Sequence, residues 1–182
     1  MPEAVVQFKR IVFPGRFQPV HKGHIEVIRW LLERSNELAI VIGSAQKSHM
    51  VDNPFTAGER ILMFIESLKE EGISRERVLI VPVQDIEYNS IWVSYLESLL
   101  PPFDGVASRN PLVVRLFKER GYPVLIPPMF MRGDYSGKRI RERMLNGQEW
   151  KSLVPEPVAK IIDKIGGVQR LVNVSMTDEV EG

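Results

Sequence analysis

At 182 residues, with 44% hydrophobic and 26% charged positions and a formal net charge of +1, the chain has the balance of one soluble globular domain. That charge offers no overall attraction to nucleic acid or to an anionic membrane, so any basic surface must be local. With no cysteine, disulfides and thiolate metal sites are excluded. No apolar run approaches the ~20 residues that span a bilayer, and the N-terminus lacks the apolar stretch and cleavage site of a secretory signal. A cytoplasmic protein is expected.

In chain order, short apolar runs alternate with helical patterns. The runs are Ile11-Val12-Phe13, Leu38 to Ile42, Val78 to Val83, Gly105 to Ser108 and Val124-Leu125-Ile126. They are continuously apolar, as parallel strands covered on both faces should be. Between them, Ile25, Ile28, Leu31 and Leu32 form one apolar stripe. Thr56-Ala57-Gly58-Glu59 is a capping box opening a helix whose inner face is expected at Ile61, Leu62, Ile65 and Leu68. Ile91 to Leu100 reads as a third helix, and Asn110-Pro111 opens a fourth that Gly121 closes. This alternation predicts an α/β fold, a doubly wound, Rossmann-like parallel sheet with helices on both faces and ligands beyond the strands' carboxyl ends. One domain is expected over residues 1–182, with its core at about 10–147. A short helical segment follows at about 148–167, and the acidic stretch 175–182, lacking periodicity, is expected to fray.

The first strand-to-helix junction, Gly15-Arg16-Phe17-Gln18-Pro19-Val20-His21-Lys22-Gly23-His24, holds two of the chain's three histidines. Unpaired amides at a helix start and the helix dipole favour an anion there. Gly15 and Gly23 suit a close approach of ligand to backbone. His21 and His24 fall on one side of the first turn, and Arg16 adds a flat donor fork. A zinc pair is the competing reading, with only His49 left as a third imidazole. No G-x-x-x-x-G-K-[ST] or G-x-G-x-x-G occurs, which argues against the commoner phosphate cradles.

A second cationic cluster lies at Ser136-Gly137-Lys138-Arg139-Ile140-Arg141, with Ser136 as expected N-cap. Cations at a helix start oppose the dipole, each costing roughly 0.3–1 kcal/mol when exposed. A bound polyphosphate reverses that sign; a solvated basic face is the plainer alternative. Three further blocks fall on the ligand side: Gly43 to Gln46, Asn53 to Arg60, and Val83 to Trp92. Asp85 and Asn89 offer polar groups, and Trp92 offers either a stacking face or core packing.

Gly15 to His24 resembles the G-R-F-Q-P-x-H-x-G-H segment of the H-x-G-H nucleotidyltransferases. Ser136, Gly137 and Arg141 resemble the second signature of that superfamily, with Lys138 where threonine is usual. Together with Pro127-Pro128-Met129-Phe130, the chain from about Arg10 to Gly167 is similar to nicotinamide-nucleotide adenylyltransferases of the archaeal type. The resemblance implies transfer of the adenylyl group of ATP to nicotinamide mononucleotide (NMN), giving NAD and pyrophosphate, with Mg2+ carried on the triphosphate and no side-chain metal ligands. It implies ATP contacts from Gly15, Arg16, Phe17, Gln18, His21, Gly23 and His24, joined by Ser136, Gly137, Lys138 and Arg141. The catalytic set would be His21, His24, Arg16 and Arg141. NMN contacts are implied at Ser44, Gln46, Asp85, Asn89, Trp92 and Phe130. A homo-oligomer with no nucleic-acid or membrane partner is implied too. A sister nucleotidyltransferase with another phosphate acceptor, or a non-catalytic ATP or NAD sensor, stays open on the residues alone.

Overall fold

A computed structural model describes residues 7–130 and 135–180, with side chains described as far as Thr177. Five strands, β1 (Phe8–Gly15), β2 (Ser35–Ile42), β3 (Val78–Pro82), β4 (Gly105–Ala107) and β5 (Val124–Leu125), form one sheet in the order β3-β2-β1-β4-β5. All four pairings are parallel. The doubly wound sheet is therefore as the apolar runs predict. Winding reverses between β1 and β4, and the carboxyl ends there form the crevice in which such sheets bind ligands.

The two-residue period of the strands sorts the core into two layers. Ile11, Phe13, Leu38, Ile40 and Ile42 face a cluster that includes Ile25, Ile28 and Leu31 of α1 (Lys22–Leu32) and Met63, Phe64 and Leu68 of α2 (Ala57–Glu70). Val12, Ala39, Val41 and Val106 face the other layer, where Val93 and Leu96 of α3 (Trp92–Leu99) and Phe117 of α4 (Pro111–Glu119) pack. Asn110 caps α4 by accepting from the amides of Leu112 and Val113, and Gly121 follows in the left-handed region at φ 82°.

Two expectations fail. The inner face of α2 is Arg60, Met63, Phe64, Ser67 and Leu68; Leu62 is 44% exposed, and Ile61 and Ile65 are only half-buried. The apolar stripe misled because an arginine occupies one of the core positions. The C-terminal region also carries one more helix than expected. After α5 (Gly137–Leu145) and α6 (Glu156–Lys164), α7 runs Gly167–Val180, so residues 175–180 continue a helix, while 181–182 lie outside the described residues. Leu171 is fully buried, with Val168 and Val174 packed beside it, and Arg170 pairs with Glu59 at 2.8 Å. Docking on the core and this ion pair supply what the weak periodicity lacks. Among the described residues no helix is long and apolar enough to cross a membrane.

Candidate active site

The start of α1 is capped by its own histidines. His21 is the N-cap; its Nδ1 accepts from the backbone amide of His24 at 3.3 Å, and the Nδ1 of His24 accepts from the amide of His21 at 3.0 Å. Two imidazoles thus form the reciprocal capping box usually made by a hydroxyl and a carboxylate. Their rings stack with centroids 3.5 Å apart. Because each Nδ1 accepts, each neutral ring carries its proton on Nε2 and presents a donor there. Burial lowers His21 to about 4. Burial, followed by the charge of His21, pushes His24 well below the ordinary histidine value. Both rings are neutral donors at pH 7.

The glycines leave room for these side chains. A Cβ on Gly23 would sit 2.8 Å from Tyr135 Cβ and 3.0 Å from the His21 ring; one on Gly15 would sit 2.8 Å from the Phe17 ring. Phe17 and Gln18 also change role. Phe17 is buried at φ 55°, edge-on to His24 at 4.8 Å and to Phe64 at 4.7 Å. Gln18 is 3% exposed, and its amide donates to Phe55 O and accepts from Phe55 N, both at 2.9 Å. Neither side chain is available to ATP. They support the histidine turn.

The N-terminus of α5 abuts that turn. Ser136 caps it by accepting from Arg139 N at 3.1 Å, and Tyr135 lies parallel to His21 at 6.1 Å. Arg141, buried, donates from Nη1 to Gln18 O at 2.8 Å, and its Nη2 lies 3.9 Å from the exposed carboxylate of Asp52. Gly137 is needed for this approach, since a Cβ there would crowd both Arg141 Nη1 and Gln18 O at 3.0 Å. Burial and then the charge of Arg16 lower Arg141 from its ordinary value. Neither α1 nor α5 has an acidic residue in its first turn. Two helix starts without acidic residues, far apart in sequence, therefore meet. Lys138 is exposed on the first turn of α5.

Two cavities adjoin at the switch point and share Pro14, Ser108 and Asn110. One, of about 400 Å³, is lined by His21, Gly23, His24, Val27, Arg109, Pro127 to Phe130, Tyr135 and Ser136. The other, of about 420 Å³, is lined by Gly15, Arg16, Ser44, Asp85, Asn89 and Trp92, among others. Phe130 was expected with the NMN contacts but lines the histidine cavity, with His21, His24 and Val27 of α1. In the second cavity Asp85 is held by Ser44 Oγ at 3.0 Å, Gln46 Nε2 at 3.3 Å and Lys47 Nζ at 3.1 Å. Desolvation of Asp85 is outweighed by these bonds, so its carboxyl titrates below the ordinary value. Gln46 does not line the cavity; it bonds Asp85, donating to the carboxylate and accepting from the backbone amide at 3.1 Å. Trp92 is half-buried, meets Phe117 at near-right angles with ring centroids 5.8 Å apart, and lines the cavity. Gly137, Lys138 and Arg141 line neither cavity.

Sequence reasoning missed Tyr135, Ser108, Arg109 and Arg60. Arg60 had a signal, being a charge on the buried period of an amphipathic helix. The others are single residues at strand or loop ends and carried none. Among the described residues no group of three His, Asp or Glu is placed to hold a metal, and Asp85 is committed to three partners.

The Cytidylyltransferase-like family profile matches residues 12–143. The chain is 50% identical over 170 residues to a nicotinamide-nucleotide adenylyltransferase of Ignicoccus hospitalis, covering 93% of this chain and 99% of that protein. It is 51% identical to one of Saccharolobus solfataricus over the same shares. The chain belongs to the nicotinamide-nucleotide adenylyltransferase family. Among solved structures, it is similar to a bifunctional NMN adenylyltransferase/ADP ribose pyrophosphatase of Francisella tularensis, complexed with AMP and a manganese ion. The TM-score is 0.73 at 24% identity, over 91% of this chain and 52% of that longer one. That likeness carries the fold; family membership rests on the sequence relatives.

Proposed function

We propose that this chain transfers the adenylyl group of ATP to the 5′-phosphate of NMN, giving NAD and pyrophosphate. The observation that carries the reading is the stacked histidine pair in one of two adjoining cavities, each large enough for part of a dinucleotide. In this reading the ATP occupies the histidine cavity, with its base against the Pro127 to Phe130 wall, and NMN occupies the Asp85 and Trp92 cavity. The acceptor phosphate is ionised near neutral pH, so attack on the α-phosphorus needs no general base. Nε2–H donors of His21 and His24 hold phosphate oxygens where charge develops, a role worth ~10²–10³ in rate at comparable sites. Arg16, with Arg141 and Lys138 from the second helix start, neutralises the departing pyrophosphate. Magnesium enters as part of the nucleotide substrate and, when bound, offsets triphosphate charge. Trp92 faces the cationic nicotinamide ring, an attraction worth up to ~2 kcal/mol when desolvated. The reading includes a homo-oligomer working in the cytoplasm on these small molecules, as the family resemblance implies.

The test is to supply ATP and magnesium with NMN, nicotinate mononucleotide, phosphopantetheine or glycerol phosphate in turn. Dinucleotide and pyrophosphate should form in equal amounts with NMN. Pyrophosphate release only with a different acceptor would favour a sister nucleotidyltransferase. Nucleotide binding without any pyrophosphate would favour a sensor.

A further inference from the structure

Arg60 is fully buried, yet among the described residues no carboxylate forms an ion pair with it; Glu59 is taken by Arg170 and Asp85 by Lys47. A buried cation without a paired charge is costly, and proteins rarely retain one for packing alone. Its guanidinium spends its donors on backbone carbonyls instead. Nη1 donates to Arg16 O at 2.8 Å and Gly43 O at 2.9 Å, Nη2 to Ser44 O at 3.2 Å, and Nε to Thr56 O at 3.2 Å. Burial brings its own pKa down to about 10; attraction to Glu59 and Asp85 opposes the fall and repulsion from Arg16 adds to it, so it is charged at neutral pH.

The identity of those carbonyls is informative. Arg16 O immediately precedes Phe17, at φ 55°, and Gly43 O immediately precedes Ser44, at φ 48°. Non-glycine residues are uncommon in the left-handed region, and surrounding structure must hold them there. Both turns sit at the carboxyl ends of adjacent strands, and each aims a different part of the site. Phe17 supports the His24 ring, and Ser44 bonds Asp85. One planar fork thus ties the end of β1, which serves the histidine cavity and Arg16, to the end of β2, which serves the acceptor cavity.

We infer that Arg60 is a positioning residue that fixes the two strand-end turns relative to each other, and so aligns the acceptor phosphate with the α-phosphorus. It touches neither substrate; its fork geometry, more than its charge, performs the role. The inference rests on the adenylyl-transfer reading, and wild-type NAD formation tests that reading separately. Misalignment of about 1 Å costs on the order of 100-fold in rate. Arg60→Lys keeps the charge and loses the fork; Arg60→Gln loses both. At a temperature well below the unfolding midpoint of each variant, both should lose on the order of 100-fold in kcat. The KM for ATP and for NMN should each change less than about tenfold, since both binding cavities persist. Combined with Arg16→Ala, Arg60→Lys should cost much less than it does alone, because both act through one turn. Near-wild-type kcat for folded Arg60→Lys, or full additivity with Arg16→Ala, would overturn the assignment. Failure of both variants to fold, read by near-ultraviolet circular dichroism, would equally overturn it in favour of stability alone.

Discussion

The two cavities are built on different principles. The histidine cavity is made by two chain segments that lock onto each other: paired imidazoles cap one helix, Arg141 reaches the Gln18 carbonyl, and Gly23 and Gly137 permit the contact. The acceptor cavity is made by the ends of β2 and β3 and the turn before α3, with exposed Asp85 and Asn89 and a half-buried Trp92. The first is preorganised before any ligand arrives, which is what stabilising a developing charge requires. The second offers adaptable polar groups and one aromatic face, which suits selection of a ring. On the proposed assignment of the two cavities, chemistry and acceptor choice are separable, and variants should divide along that line.

The largest effect is expected at His24. His24→Gln can keep the capping box, since glutamine suits the third helical position, but it removes the imidazole donor. It should lower kcat by ~10²–10³ with little change in the KM for NMN. A coupled NAD-formation assay decides it, and near-normal turnover would remove His24 from the chemical step.

Next in size is a pH effect confined to the histidine side. His21 titrates at about 4 in the folded chain and near 6.5 when unfolded. Between those values the unfolded chain binds a proton that the folded chain refuses, so stability is full above pH 6.5 and falls as pH drops toward 4. For His21 the loss amounts to about 3 kcal/mol. Urea unfolding at pH 4.5 and 7 should show it, and His21→Asn, which keeps a cap without titrating, should remove the His21 share of the difference while that of buried His24 remains. An equal pH slope in both proteins would contradict the burial argument.

On the acceptor side, Trp92→Ala should raise the KM for NMN about 10- to 30-fold, corresponding to ~1.4–2 kcal/mol, and leave the KM for ATP near its normal value. A change confined to ATP would exchange the assignments of the two cavities. The smallest effect is expected at Asp52, whose exposed carboxylate stands 3.9 Å from Arg141 and, in the proposed reading, would compete with phosphate. Asp52→Asn should tighten ATP binding by a few-fold at most, as exposed pairs are worth ~0–1 kcal/mol, and the gain should shrink with added salt. Unchanged ATP affinity at low salt would show that Asp52 does not reach the triphosphate.

Legibility in the sequence follows the same division. Gly15 to His24 and Ser136 to Arg141 could be read because contiguous residue types there violate what stability alone prefers: cations at helix starts, paired histidines, no acids. The parallel sheet could be read because its strands are apolar on both faces. Three-dimensional detail could not. Phe17 and Gln18 sit in the most recognisable segment, yet face inward, because a left-handed residue at 17 turns the chain. Phe130 went to the other cavity because a loop's direction has no periodicity to reveal it. The face of α2 was misplaced by Arg60, a core position filled by a charge that only backbone carbonyls from distant strand ends could satisfy. Helix α7 escaped notice because its stability comes from Leu171 burial and the Arg170–Glu59 pair, both tertiary.

The account centres on two substrates held at once in facing cavities, with histidines that donate from Nε2 and have Nδ1 occupied, so that neither serves as a nucleophile. Its most direct test is the stereochemical course at the α-phosphorus, followed with ATP bearing a chiral α-phosphorothioate and NMN as acceptor. A single in-line displacement predicts inversion of configuration in the dinucleotide product. Retention would mean two displacements through a nucleotidyl-enzyme intermediate, and would contradict the arrangement derived from the paired histidines.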